Sequence, residues 1–274
     1  MNLSSARQFF YQEICAPDEY IDLAKAALYI AQEEYSELEV EEYLNALDAM
    51  AIELEERLPI EKYPLKIIQC INQYLFDDLK FTGNTQNYYD PRNSFLNDVI
   101  ERRVGIPIAL ALLYIEIARR IDFPMIGIGM PGHFLIRPDI SEMEIYVDAF
   151  NKGEVMFPQD CQERLSQIYQ QNITLQPEFL APVTKKQFLA RMLTNLKYIY
   201  LKQQKLEKAL SCVERILLLF PSATLELRDR GLLSYQTGRF NQAADDLQSY
   251  LLQVPDAQDA STIRHLLAKL GKSQ

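Results

Sequence analysis

Histidine and cysteine, the side chains that most often carry nucleophilic or metal chemistry, are scarce in this chain: two histidines and four cysteines in 274 residues. Cys15, Cys70, Cys161 and Cys212 lie far apart, with neither the density of a disulfide scaffold nor the CxxC pairs of a zinc site. They read as reduced thiols of an intracellular, cytoplasmic protein. Glycine (9) and proline (13) are few and 48% of the residues are hydrophobic, which excludes disorder for the bulk of the chain. Long apolar runs are missing. The most apolar stretch, residues 106–115, ends at Glu116 and is about half of what a membrane-spanning helix needs. The N-terminus puts Glu13 where a signal peptide would be apolar, so no signal peptide and no membrane association are expected. There is no G-x-x-x-x-G-K-[ST], no G-x-G-x-x-G opening a helix and no HExxH, so neither a cofactor nor a metal is expected. Basic residues are outnumbered, 28 Lys+Arg against 38 Asp+Glu, and a net charge of −10 makes direct nucleic-acid binding a poor reading.

That charge is unevenly spread. Residues 1–80 hold 17 acidic and 6 basic side chains, whereas residues 185–274 hold 14 basic and 8 acidic ones. Opposite-sign ends suggest internal docking or selected partners, set against the simpler reading of solvated helix faces.

Apolar residues recur at helical spacing through Ile21, Ala24, Leu28 and Ala31, then through Tyr43, Leu44, Leu47, Met50, Ala51 and Leu54, and a third helix is expected over 64–79. These make a helical N-terminal region, 1–80. Over 81–184 the pattern changes: a short helix through Val99 to Arg103, a break at Gly105, and an apolar helix opened by Pro107, a residue suited to a helix's first position. Three β-like runs follow, at 125–130, 133–137 and 144–150. In the last segment, 185–274, Ala209 recurs at Ala243 and Pro221 at Pro255, both at a spacing of 34, the tetratricopeptide period. Two repeats, 190–223 and 224–257, and a closing helix over 258–270 that carries His265 are expected. The fold class is therefore α+β and mostly helical, with a small antiparallel sheet and a C-terminal helical array.

His133 and Asp148 fall on consecutive predicted strands, where a carboxylate could orient an imidazole as in a nucleophile–histidine–acid triad or make only a structural hydrogen bond. Asn87 to Leu96 (NYYDPRNSFL), Arg103 to Leu110 (RVGIPIAL) and Pro131-Gly132-His133-Phe134 together resemble the SirB-type transglutaminase-like family, whose members often carry C-terminal tetratricopeptide repeats. That resemblance implies a papain-like core with a nucleophilic cysteine at the start of the core helix, in a pattern like G-x-C-x-x-x-A-x-L. Gly105, Ala111, Leu113, Arg119 and Pro124 match it, the histidine and acid fall on His133 and Asp148, and the cysteine position falls on Pro107. Asn93 and Ser94 complete the expected cleft, Ser94 as a helix N-cap rather than a nucleophile and Cys161 as a buried hydrophobe rather than a replacement thiol.

The leading expectation is a non-enzymatic, protein-binding adaptor. The alternative is a hydrolase or acyltransferase that uses His133 and Asp148 with an unidentified nucleophile or an activated water, its oxyanion held by backbone N–H groups near Gly105. The expected partner groove carries Arg191, Asn195, Tyr198 and Lys202 with Arg228 one repeat on. It would take an acidic peptide segment or pack on the acidic N-terminal helices.

Overall fold

The computed structural model describes residues 4–141 and 143–271. The chain divides into two compact units, 1–189 and 190–274.

The first unit opens with four helices. Ser4 caps α1 (Ser5–Ile14) by accepting from the Arg7 N–H, and Asp22 caps α2 (Leu23–Gln32) by accepting from the Lys25 N–H at 2.9 Å. In α3 (Val40–Glu55), Val40, Leu47, Ala51 and Leu54 lie on one buried face. Pro64 opens α4 (Pro64–Asn72), and the chain then continues as a wider π-helical turn, Gln73–Asp78, that buries Tyr74, Leu75 and Phe76. The helix expected over 64–79 is thus two kinds of helix end to end. Thr82 and Gly83 form a two-residue strand, β1 (Thr82–Gly83). It pairs in parallel with β2 (Val104–Gly105), which follows α5 (Leu96–Arg102) after Arg103 turns left-handed.

At the centre lies α6 (Pro107–Arg120). Its residues from Pro107 to Ala118 are all buried, as an apolar all-round helix must be when other elements enclose it. It packs against α2, α3 and α5 and against the sheet that follows. Its one buried charge, Glu116, accepts from Arg119 (2.9 Å) and Arg120 (2.6 Å), and Arg120 also reaches Asp48 of α3.

Next comes an antiparallel meander: β3 (Met125–Ile128), β4 (Leu135–Pro138), β5 (Tyr146–Asp148) and β6 (Glu154–Met156), in that spatial order. Ile128 faces Leu135, Ile136 faces Val147, and Asp148 faces Glu154. The strands are shorter than the apolar runs suggest. In particular, His133 lies in the turn before β4 and not on the strand, because Gly132 takes a positive φ of 74° and the His133 N–H closes back on the Met130 carbonyl at 3.1 Å. The sequence reading also left out β6 and α7 (Pro158–Tyr169). β6 is only three residues long, and α7 buries only Cys161 and Leu165, too few apolar positions to register as a period.

The helices before residue 80 pack into this same unit. Asn72, at the end of α4, accepts from the Tyr114 hydroxyl of α6 (3.0 Å) and donates to the Gly153 carbonyl (2.6 Å) in the turn between β5 and β6. The first turn of α8 (Lys185–Lys202) is also anchored here. Thr184 and Gln187 form a reciprocal capping box, and both Asp18 carboxylate oxygens accept from the Lys185 and Lys186 N–H groups at 2.9 Å.

The second unit contains the rest of α8 with α9 (Leu206–Leu219), α10 (Thr224–Gln236), α11 (Phe240–Gln253) and α12 (Ala260–Leu270). Ala209 and Ala243 are fully buried. Between helices the contacts are ionic as well as apolar: Lys197, 3% exposed, donates to Glu226 and Asp229, and Arg230 pairs with Asp246 at 2.7 Å.

Gly153 has a φ of 73°, and a Cβ there would stand 2.0 Å from Asn72 Oδ1. Gly153→Ala should therefore cost at least about 2 kcal/mol in urea unfolding, from left-handed strain plus loss of the Asn72 bridge. A cost within about 0.5 kcal/mol would contradict this placement.

Candidate functional site

The turn after β5 builds the site. Asp148 ends β5, and its Oδ1 accepts from the Phe150 N–H (3.1 Å) and the Asn151 N–H (3.3 Å), which folds the next three residues into a 3-10 turn. Its other oxygen, Oδ2, accepts from His133 Nε2 (2.7 Å), Asn151 Nδ2 (2.8 Å) and Arg164 Nη1 of α7 (2.7 Å). The carboxylate is fully buried and His133 is 9% exposed. Burial alone would push the Asp148 carboxyl up, but the His133 hydrogen bond and charge, with Asn151 and Arg164, outweigh it and hold the group below the usual aspartate range. An ionised acceptor at Oδ2 requires the proton on His133 Nε2.

Two aromatic rings follow His133 in a row. Phe150 meets His133 edge to face with centroids 6.2 Å apart, and Tyr88 meets Phe150 in the same way at 6.3 Å. Phe150 can lie there because Gly83 of β1 has no side chain: a Cβ would sit 2.6 Å from the ring. Asn93, fully buried, organises the loop that carries Tyr88. Its Nδ2 donates to the Asn87 and Tyr88 carbonyls (2.8 and 3.3 Å), and its own carbonyl accepts from the Ile106 N–H (3.0 Å) at the entrance to α6.

The sequence matches the profile of the transglutaminase-like superfamily over residues 41–194. The chain belongs to that superfamily. A tetratricopeptide-repeat profile follows over 196–268. A UPF0162 protein of Xylella fastidiosa (strain 9a5c) is 36% identical over 264 residues, 94% of this chain and 92% of the relative. A UPF0162 protein of Vibrio cholerae is 27% identical, across 92% of this chain and 93% of that one. Mouse F-box only protein 21 is 35% identical over 140 residues, 48% of this chain and 21% of that protein. The chain is thus a SirB-type transglutaminase-like protein with C-terminal tetratricopeptide repeats.

At the first position of the transglutaminase-like core helix stands Pro107, buried and without a nucleophilic atom. Cys161 is fully buried among Ile128, Met130, Leu135, Tyr146 and Met156, and burial pushes its thiol up to about 12. Cys70 is raised as well, mainly by burial, and its thiol donates to the Arg57 carbonyl. Ser94 corrects an expectation: it does not cap a helix. It closes the 3-10 turn Pro91–Asn93, Phe95 takes the N-cap position of α5, and the buried Ser94 hydroxyl has no hydrogen-bond partner among the described residues.

In the repeat unit, Arg191, Asn195, Tyr198 and Lys202 follow one face of α8 at spacings of four, three and four, with Tyr198 62% exposed. Arg228 of α10 is engaged within the unit, with Asp229 at 2.9 Å and Asp259 at 3.3 Å, and Asp259 also accepts from the Tyr250 hydroxyl. Among the described residues no group of three or more His, Cys, Asp or Glu is placed to hold a metal ion, and no helix is long and apolar enough to cross a membrane. Arg164 and Asn151, the two donors on Asp148 Oδ2 besides His133, were missed by the sequence reading. Arg164 comes from a helix with little apolar pattern, and Asn151 from a turn that only the Asp148 caps define.

Asp148→Asn removes the one acceptor that His133, Asn151 and Arg164 share, and should cost about 3 kcal/mol at neutral pH. The sign with pH follows from the lowered carboxyl. Its contribution is complete above the unfolded-state value near 4 and is lost as pH falls through the lower folded-state value. The stability gap between wild type and variant should therefore narrow below about pH 4 in urea titrations. A gap independent of pH would contradict an ionised Asp148.

Proposed function

We propose that this protein is a non-enzymatic, protein-binding adaptor built on a transglutaminase-like domain, with its tetratricopeptide array as the partner-binding part. One observation carries the first half. The helix position at which the superfamily pattern places the nucleophile holds a proline, and the Cys161 thiol and Ser94 hydroxyl are sealed in the interior. Acyl transfer through a covalent intermediate needs an accessible nucleophile beside its base. The His133–Asp148 contact then acts as a structural joint between the turn before β4, the end of β5 and α7.

The repeats support the second half, since arrays of this type present extended surfaces to other proteins. The partner-facing row is Arg191, Asn195, Tyr198 and Lys202, and an acidic peptide segment fits its charge. Arg228, already bound to Asp229 and Asp259, stiffens the array. The surplus of acidic residues speaks against direct nucleic-acid contact, and four cysteines scattered far apart in the sequence fit a reducing cytoplasmic compartment.

A hydrolase or acyltransferase reading rests on the same His133–Asp148 contact, with His133 as the base for an activated water. Turnover separates the two. The purified protein should show no amide hydrolysis and no amine transamidation above the uncatalysed rate, before or after alkylation of its thiols. Turnover abolished by alkylation would identify a working cysteine, and turnover that survives alkylation but is lost in His133→Ala would identify the water reaction.

A further inference from the structure

Residues Asp148 and Glu154 are direct partners across the β5–β6 ladder, which sets two carboxylates side by side. Like charges in that position repel unless something lies between them. Arg164 does: its Nη1 donates to Asp148 Oδ2 at 2.7 Å and its Nη2 to Glu154 Oε2 at 2.6 Å, so one planar guanidinium spans both acids. Exposure rises in order along this chain of contacts. Asp148 is sealed, Arg164 is 20% exposed at its side chain, and Glu154 is 48% exposed.

The inner end is crowded. Oδ2 of Asp148 takes Arg164, His133 and Asn151 at 2.7, 2.7 and 2.8 Å, although a carboxylate oxygen has two lone pairs. Three donors on one oxygen compete, and the strength of each bond depends on the other two. Arg164 itself is divided between two acceptors, so what it gives to Asp148 depends on what Glu154 takes.

We propose that Arg164 is a positioning residue for His133, and that Glu154–Arg164–Asp148–His133 is one coupled chain through which a half-exposed carboxylate sets the strength of the buried imidazole–carboxylate bond. Removing Arg164 leaves more of the Asp148 charge to His133 and tightens that bond. Removing the Glu154 charge releases Arg164 wholly to Asp148 and loosens it. Asn151 stays on the same oxygen throughout. This coupling holds whether or not the site turns over a substrate.

With only two histidines in the sequence, the imidazole nitrogens give a clean readout by long-range 1H–15N NMR, and His265, exposed on α12, serves as the internal reference. At fixed neutral pH, Arg164→Gln should move the His133 Nε2–H signal downfield, Glu154→Gln should move it upfield, and Arg164→Lys should return it part of the way to the wild-type position. His265 should stay in place in all three. Because Glu154 is half-exposed, Glu154→Gln retains the fold and carries the test even if Arg164→Gln does not fold. A His133 signal unmoved by Glu154→Gln would overturn the coupling, as would shifts of the same sign in the Glu154 and Arg164 variants.

Discussion

Everything around the candidate site hangs on one buried carboxylate. Asp148 has five donors within 3.3 Å: two backbone N–H groups, an asparagine amide, a histidine and an arginine. Together they tie three pieces of chain to the same point. The backbone donors fold the 3-10 turn, His133 brings in the loop before β4, and Arg164 pins α7 and, through Glu154, β6. A charge removed this far from water is tolerated only when donors replace its hydration, and here they do so in excess. The same saturation shapes the chemistry. An acid whose sole task is to orient a base needs one bond to it, whereas this one also balances an arginine.

The second constraint is α6. Twelve consecutive buried residues leave it no solvent face, so every neighbouring element must bring an apolar surface to it. That is why the N-terminal helices, despite their acidic exteriors, belong to the same unit as the sheet, joined through contacts such as Tyr114–Asn72–Gly153. In the repeat unit the load is shared differently. Buried alanines let the helices approach, and pairs such as Lys197 with Glu226 and Asp229 hold neighbouring helices in register.

Much of this was legible in the sequence where a period or a motif carried it. The 34-residue spacing of Ala209 and Ala243 marked the repeats, the apolar run behind Pro107 marked α6, and the Pro131-Gly132-His133-Phe134 motif brought His133 and Asp148 together. What escaped depends on contacts without a local signature. Arg164 is sixteen residues past its partner on a helix with two buried positions, and β6 is too short to alternate. Ser94 followed by an apolar run looks like a helix cap, but the helix starts one residue later and leaves the hydroxyl inside. Arg228 likewise pairs outside any local pattern. Its partner Asp259 lies 31 residues on, beyond the reach of any spacing rule.

In the proposed reading, the fold keeps a histidine and an acid in contact without a group to carry an acyl intermediate. Intact-mass spectrometry after incubation with an activated acyl ester at neutral pH, followed by rapid acid quench and peptide mapping, tests it most directly. No acyl adduct that depends on His133 is expected, so wild type and His133→Ala should give the same spectrum. An adduct on Ser94 or on any of the four cysteines that forms in wild type and is lost in His133→Ala would contradict it.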